Sequence, residues 1–322
     1  MNLNKHETEE GNNTKLQYFF LQGFAQLDDL RMVLFIFFLF TYLLTILGNM
    51  IIIIMVRYHV QLHTPMYYFI THLSLLEMWY ISTTVPKLLS LLGTNDKRIS
   101  FQTCFAQLYM FHGLGMTECG LLGVMAFDRC IAICNPLRYT AIMNARMCMQ
   151  LSLTCWTFGF LASVIPMTLT LMVPFCGPHN INHYFCDLAP LLSLACIDIS
   201  LNRIINSCVI GFATMFNLML ILVMYCLIIF SIMKIKSNRG RKKAFSTCSS
   251  HLTVVVMFYG SAFTVYVSPR GSLLEDHDMF FALVYAMLTP LLNPIIYSLR
   301  NKEVKEGLKK SLNRIQDYFR MR

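Results

Sequence analysis

Charge is what this sequence has least of. Only 13% of its 322 residues are Asp, Glu, Lys or Arg, while 56% are hydrophobic and the mean hydropathy is +0.55. An ordinary soluble chain carries about 25% charged residues. The deficit, with long apolar runs, excludes a water-soluble globular protein before any motif is weighed. No signal peptide is expected. Residues 1–30 are polar and include Glu7, Glu9, Glu10, Asp28 and Asp29, so the first apolar run is expected to act as the insertion signal and to stay in place. No internal repeat is evident, which weighs against a transporter built from paired half-helices. No catalytic set converges either. Asp128 and Arg129 lack a partner nucleophile, and the membrane-embedded Glu77 and Glu118 have no His or metal motif at useful spacing. Neither an enzyme nor a bound cofactor is expected.

What is there is a series of apolar runs, each long enough for the roughly 20 residues of helix that cross a hydrocarbon core. They cover about 32–56, 66–91, 103–127, 146–172, 204–233, 244–268 and 279–298. The expected fold is therefore an all-α membrane protein, a seven-transmembrane helix bundle. Residues 1–31 form an outer tail and 299–322 a short amphipathic helix and tail. In that last stretch Val304, Leu308, Leu312, Ile315 and Phe319 share one helical face beside lysines, the pattern of a helix lying in the lipid interface. Proline inside several runs (Pro86, Pro166, Pro290, Pro294) is tolerated where neighbours re-satisfy the freed carbonyls.

Basic residues set the expected orientation. With the N-terminus outside, 18 of the 26 Lys+Arg fall on the cytoplasmic side and seven outside, whereas eleven of the 17 acids fall outside. The net charge of +9 then reflects topology and an anionic inner leaflet, not nucleic-acid binding. On the outer side, Asn12-Asn13-Thr14 is a glycosylation sequon. The long outer loop holds Cys176, Cys186 and Cys196, and Cys104 sits at the outer end of the third run. Four cysteines in an oxidising compartment suffice for two bridges, with connectivity open from spacing alone. A zinc site at Cys176, His179, His183 and Cys186 is the competing assignment.

Four long motifs follow one another along the chain: LHTPMYYF at 62–69, MAFDRCIAICNPLRY at 125–139, KAFSTCSSH at 243–251 and PLLNPIIYSLRN at 290–301. Together with Gly48-Asn49 and the three-cysteine loop, they resemble the vertebrate olfactory receptors of the tetrapod-type class, within the rhodopsin-like G-protein-coupled receptors. WYISTTVPKLL and GMTECGLL are similar to one subgroup. Three positions depart from the family pattern. Cys130 follows Asp128-Arg129 in place of Tyr, with Phe127 before them; Glu77 stands for the usual Asp; and Met224-Tyr225 stands for Ser-Tyr.

The resemblance implies disulfides Cys104–Cys186 and Cys176–Cys196. It also implies an activation switch formed by Asp128, Arg129, Tyr225, Asn293, Pro294 and Tyr297. Arg129 would be restrained at rest, Asp128 included among its restraints, and then freed to face a heterotrimeric G protein and Tyr225. Arginine suits that role because it stays charged and its stem snorkels; the alternative is a plain interfacial ion pair. Glu118 lies ten residues before Asp128, about 15 Å toward the outside. With Asn49, Glu77 and Asn293 it is expected to form a polar cluster that binds sodium or shares a proton. A neutral hydrogen-bonded network is the alternative, since two close carboxylates cannot both stay charged uncompensated.

Odorants are small and mostly apolar, which calls for an apolar, aromatic pocket with few polar anchors. Candidates on the third run are Phe111, His112, Gly115, Met116 and Cys119; on the sixth Tyr259, Ala262, Phe263 and Tyr266; and on the fifth and seventh Phe212 and Tyr285. Each could equally be core packing. The implied function is an odorant receptor in the plasma membrane of sensory cilia that raises cyclic AMP through a stimulatory G protein. The alternatives are a metabolite sensor outside the nose and a transporter. Expected partners are a small odorant, the G protein and membrane lipid.

Overall fold

A computed structural model describes residues 17–267, 279 and 282–299. Among these, seven long helical segments dominate: α1 (Arg31–Tyr58), α2 (Pro65–Thr94), α3 (Phe101–Cys134), α4 (Ala145–Leu171), α5 (Ser200–Met233), α6 (Asn238–Val267) and α7. The last is a π-helical turn, Val284–Leu288, running into the α-helix Thr289–Leu299. The sequon at Asn12 and the amphipathic stretch from Val304 to Phe319 lie outside the described residues.

Local chemistry sets several helix ends. Pro65 opens α2 at its first turn, where a missing N–H leaves no bond unmade. Asn95 closes the same helix in the left-handed conformation at φ 58°. The Ser100 hydroxyl accepts the Thr103 N–H at 3.1 Å to cap α3. Asn144 does the same for α4, accepting from Met147 N at 3.0 Å.

The outward faces of α1 and α5 are apolar and exposed: Val33, Ile36, Phe37, Phe40, Leu43 and Leu47 on one, Phe216, Met219, Val223 and Phe230 on the other. Apolar faces this extensive are untenable in water and expected against lipid. By length and apolar composition, three described helices suffice to cross a bilayer: Gln26–Tyr58, Ala145–Leu171 and Ser200–Met233. A fourth is α3 taken with the turn Pro136–Ile142, bent from it by 112°. The interior helices α2 and α3 are less greasy because they face protein on most sides, burying Glu77, Thr84, Gln107, His112, Thr117, Glu118 and Asp128.

Helix α3 runs through the middle, packed against α2, α4, α5 and α6, while α1 packs on α2 and α7. The α3–α4 seam depends on small residues. A Cβ on Gly159 would lie 2.7 Å from Thr117 N and 2.8 Å from Gly113 O, and one on Gly120 3.1 Å from Cys155 Sγ. Close backbone approach of this kind holds helices together where no hydrophobic effect acts between them.

One end of the bundle, here the lid end, carries a three-stranded sheet. Its centre is β1 (Tyr18–Leu21), antiparallel to β2 (Arg98–Ser100) and parallel to β3 (Asn180–Ile181). Phe19 pairs with Ile99, and Leu21 with Ile181. The last part of the segment read as a tail is thus a strand, its Phe19 and Leu21 buried with Ile99, Phe105, Leu108, Ile181 and Leu191. Alternation in YFFL puts those two side chains inward.

Gly159→Val forces a side chain into the Gly113 carbonyl and is expected to destabilise the bundle by more than the roughly 1–3 kcal/mol of ordinary overpacking. Gly211→Ala, with no atom within 4 Å of the added carbon inside α5, is expected to stabilise by about 0.5–1 kcal/mol. Thermal unfolding of the detergent-solubilised protein compares the two.

Candidate functional site

Three groups of residues stack along α3. At the lid end, a disulfide joins Cys104 to Cys186 with Cα atoms 5.4 Å apart, and a second joins Cys176 to Cys196 at 5.5 Å. Because Cys176 and Cys186 are each consumed in a bridge, neither is a thiolate that could hold zinc, and the metal assignment for this loop is set aside. Gln107 reinforces the tie: its Oε1 accepts the Cys186 N–H at 2.8 Å and its Nε2 donates to Thr83 O at 2.8 Å. The loop segment His183–Asp187 is thereby pressed into the bundle. His183 is buried between Tyr184, at 4.7 Å, and Phe185, at 4.5 Å between ring centroids. Burial lowers its pKa to about 4, opposed by the nearby Asp187.

The candidate pocket residues divide between two surroundings. Phe111 is enclosed by Phe185 at 4.5 Å, Tyr80 at 4.8 Å and Tyr285 at 5.7 Å. It therefore joins the lid to α2 and α7. Gly115 faces the same way, a Cβ there lying 3.6 Å from the Tyr80 hydroxyl. Cys119, one turn further on, belongs with Tyr259 of α6 and Thr214 of α5. Met116 and His112 are buried and Ala262 is half-buried. The spacing that puts these α3 positions on one face is real, but the face is wide enough to meet different neighbours at its two edges. Phe212 does not join them. It is 74% exposed on the outward side of α5, stacked on Phe216 at 5.9 Å; the inward positions nearby are Asn206, Ala213, Thr214 and Asn217. The side chains of Phe263 and Tyr266 lie outside the described residues.

Midway along the bundle, Asn49, Glu77, Glu118 and Asn293 are all buried. Asn293 Nδ2 donates to Glu77 Oε1. Asn49 Nδ2 donates to Thr45 O at 3.1 Å and Pro290 O at 3.2 Å, tying α1 to α7. Asn49 and Glu118 both act on Glu77 electrostatically or by hydrogen bond. Four oxygens remain without a hydrogen-bond partner: Asn49 Oδ1, Glu77 Oε2, Glu118 Oε1 and Asn293 Oδ1. Oxygen is the donor type that suits a hard cation. Among the described residues, no group of three or more His, Cys, Asp and Glu side chains is placed to hold a metal.

At the end opposite the lid, Asp128 is fully buried and doubly held. Arg129 donates to its Oδ2 through Nε at 2.9 Å and through Nη2, and the Tyr139 hydroxyl donates to Oδ1 at 2.7 Å. Burial, then the adjacent Asp128, raises the Tyr139 pKa and keeps that donor protonated. Tyr225 does not bond Arg129. Its hydroxyl meets His251 Nδ1 at 2.6 Å, and His251 Nε2 meets Leu122 O at 3.1 Å. A carbonyl can only accept, so Nε2 carries the proton; with a neutral ring Nδ1 then accepts from the tyrosine, whose hydroxyl also lies 3.5 Å from Cys248 O. One neutral imidazole therefore bolts α6 to α3 and α5. Cys134 meets Ser231 at 3.0 Å, a further α3–α5 contact, with Cys130 3.9 Å from Cys134. Pro294 abuts Gly48 of α1, and Tyr297 is buried within electrostatic reach of Glu77 and Tyr225.

His251, Tyr139, Gln107 and Asp187 were not singled out by sequence reasoning. His251 ends the quoted KAFSTCSSH at the start of an apolar run, and Tyr139 ends CNPLRY at the edge of another. That signal marks a buried hydrogen bond without saying to what.

The described residues thus form a helical bundle with a disulfide-tied loop at one end and a buried Asp128–Arg129 ion pair at the other. The olfactory receptor family matches residues 38–314 of the chain. Human olfactory receptor 6N1 is 44% identical over 307 residues, 95% of this chain and 98% of that one. Human olfactory receptor 2A12 is 45% identical over 303 residues, 94% and 98% of the two chains, and rat olfactory receptor 226 is 42% identical over 307, 94% of each. The chain belongs to the olfactory receptor family, whose members are receptors and not enzymes.

Two predictions follow from this geometry. His251→Phe leaves Leu122 O and the Tyr225 hydroxyl without their shared partner, at a cost of about 1–3 kcal/mol per buried group, read as lowered thermal stability. His183 titrates at about 4 when folded against 6.5 when exposed. Unfolding then takes up a proton anywhere between those values, so stability is full above pH 6.5 and falls as pH drops toward 4. His183→Phe should flatten that part of the stability profile.

Proposed function

We propose that this chain is an odorant receptor of the plasma membrane, placed in sensory cilia. It would cross the bilayer seven times with the lid end outside, the Asn12 glycan on that side and the 299–322 helix on the inner leaflet. Small apolar ligands would bind beside α3 in the lid-side half, among His112, Met116, Cys119, Tyr259 and Ala262, with Phe111, Gly115 and Tyr285 forming the wall toward α2. Phe263 and Tyr266 are included on sequence spacing alone. The observation that carries this proposal is the pairing of that lined region with a closed lock on the same helix, Arg129 on Asp128 and His251 across α3, α5 and α6.

Signalling would be a population shift. A ligand between α3, α5 and α6 favours a state in which α6 leaves Leu122 and Tyr225, and Arg129 then meets a stimulatory G protein that raises cyclic AMP. Moving such an equilibrium from 1:99 to 99:1 takes about 5.5 kcal/mol of differential affinity. Small ligands can supply less, so partial responses are expected. Asn49, Glu77, Glu118 and Asn293 would hold a sodium ion or a shared proton in the resting state; Asn293, Pro294 and Tyr297 would relay its loss along α7.

Cyclic AMP measured in cells against a diverse odorant panel tests this. Arg129→Ala at normal surface level should abolish every response, whereas Tyr259→Ala should remove only some. If responses ignore both sodium and Glu118→Gln, the polar cluster is a structural network only.

A further inference from the structure

His112 and Asp187 present a pair of buried polar atoms that face each other at ion-pair distance but make no hydrogen bond. His112 is 8% exposed on α3, and Asp187 is 6% exposed directly after the disulfide that ties the lid down. His112 Nε2 and Asp187 Oδ1 lie 3.7 Å apart, too far for a hydrogen bond, and neither has another partner. Leaving two such groups unmet is costly. Their surroundings are aromatic, with Phe111 5.9 Å from the His112 ring and Phe185 beyond it.

We infer that His112 and Asp187 form a two-point anchor for the hydroxyl group of a small apolar alcohol. A single oxygen can sit about 2.8 Å from both atoms at once, because they are close enough to share an apex. The roles of the two atoms select the chemistry. A carboxylate oxygen only accepts, and an imidazole nitrogen facing a carboxylate carries its proton, since a lone pair there would be repelled. A hydroxyl donates to one and accepts from the other. A carbonyl can only accept and would confront the carboxylate. An ammonium can only donate and would confront the N–H. The apolar remainder of the ligand then extends along α3 toward Met116 and Cys119. The inference deepens the proposed odorant site and rests on the ligand entering beneath the lid.

Straight-chain alcohols, aldehydes, primary amines and alkanes of matched length are the probes. Each is assayed by thermal shift of the detergent-solubilised receptor and by cyclic AMP in cells. Alcohols are expected to stabilise most, and His112→Phe, which keeps the ring volume, is expected to cut the alcohol-over-alkane preference about tenfold, as loss of a charge-linked hydrogen bond does. Asp187→Leu should do the same, with surface level as its folding control. Alcohol-selective stabilisation that is lost in His112→Phe but raises no cyclic AMP keeps the anchor and sinks the signalling proposal. Cyclic AMP responses with no preference for alcohols, with amines preferred, or with a preference unchanged in both variants overturn the anchor and leave the receptor standing. No stabilisation and no response overturn both.

Discussion

A bilayer has no water to offer a polar side chain, so every such group on a buried helix has to find its partner inside the protein. Helix α3 carries Gln107, His112, Thr117, Glu118 and Asp128 along its length, and none of them could face lipid. That burden puts α3 at the centre and makes its neighbours the suppliers of partners. Thr83 O and the Cys186 amide satisfy Gln107, and Arg129 and Tyr139 satisfy Asp128. Where a partner is not supplied, as at His112 and Glu118, the position is a candidate for something that arrives from outside.

The two ends of α3 are held by different physics. At the lid, covalent bridges and a small sheet pin the long loop, so movement there is confined to side chains and whatever binds beneath them. At the far end, no disulfide ties the described residues together. The polar contacts there are an ion pair, a tyrosine hydroxyl and an imidazole, each individually worth a small number of kcal/mol. One end is thus cross-linked covalently and the other is held only by weak polar contacts and packing. The α3–α4 seam has Gly159 seated against the Gly113 carbonyl, while α3 and α5 share the apolar cluster of Leu122, Met125, Ile221 and Ile228 and add the polar contacts of His251 and Cys134.

Departures from the family pattern find local settings in this chain. Cys130 lies beside Cys134, which reaches Ser231, so the usual Tyr position is occupied by a smaller group in an otherwise packed α3–α5 contact. Glu77, one methylene longer than Asp, reaches Asn293 directly. Met224 packs half-buried against the inner cluster while its neighbour Tyr225 takes the polar role.

Membrane class, the approximate helices and the family were legible in residue order, because hydropathy and motif spacing are properties of the chain alone. That Glu77 and Glu118 would need partners inside the protein was legible too, since each carboxyl stands within an apolar run. Which way a residue faces was legible only where a polar or small group forced it. Phe212 shows the limit: an aromatic is equally at home against lipid and against a ligand, and only the packing of α5 turned it outward. The strand at Tyr18–Leu21, the partners of His251 and the approach of Asp187 to His112 depend on loops meeting helices that are distant in sequence. Those meetings are decided by disulfide geometry and close packing in three dimensions, which no periodicity encodes.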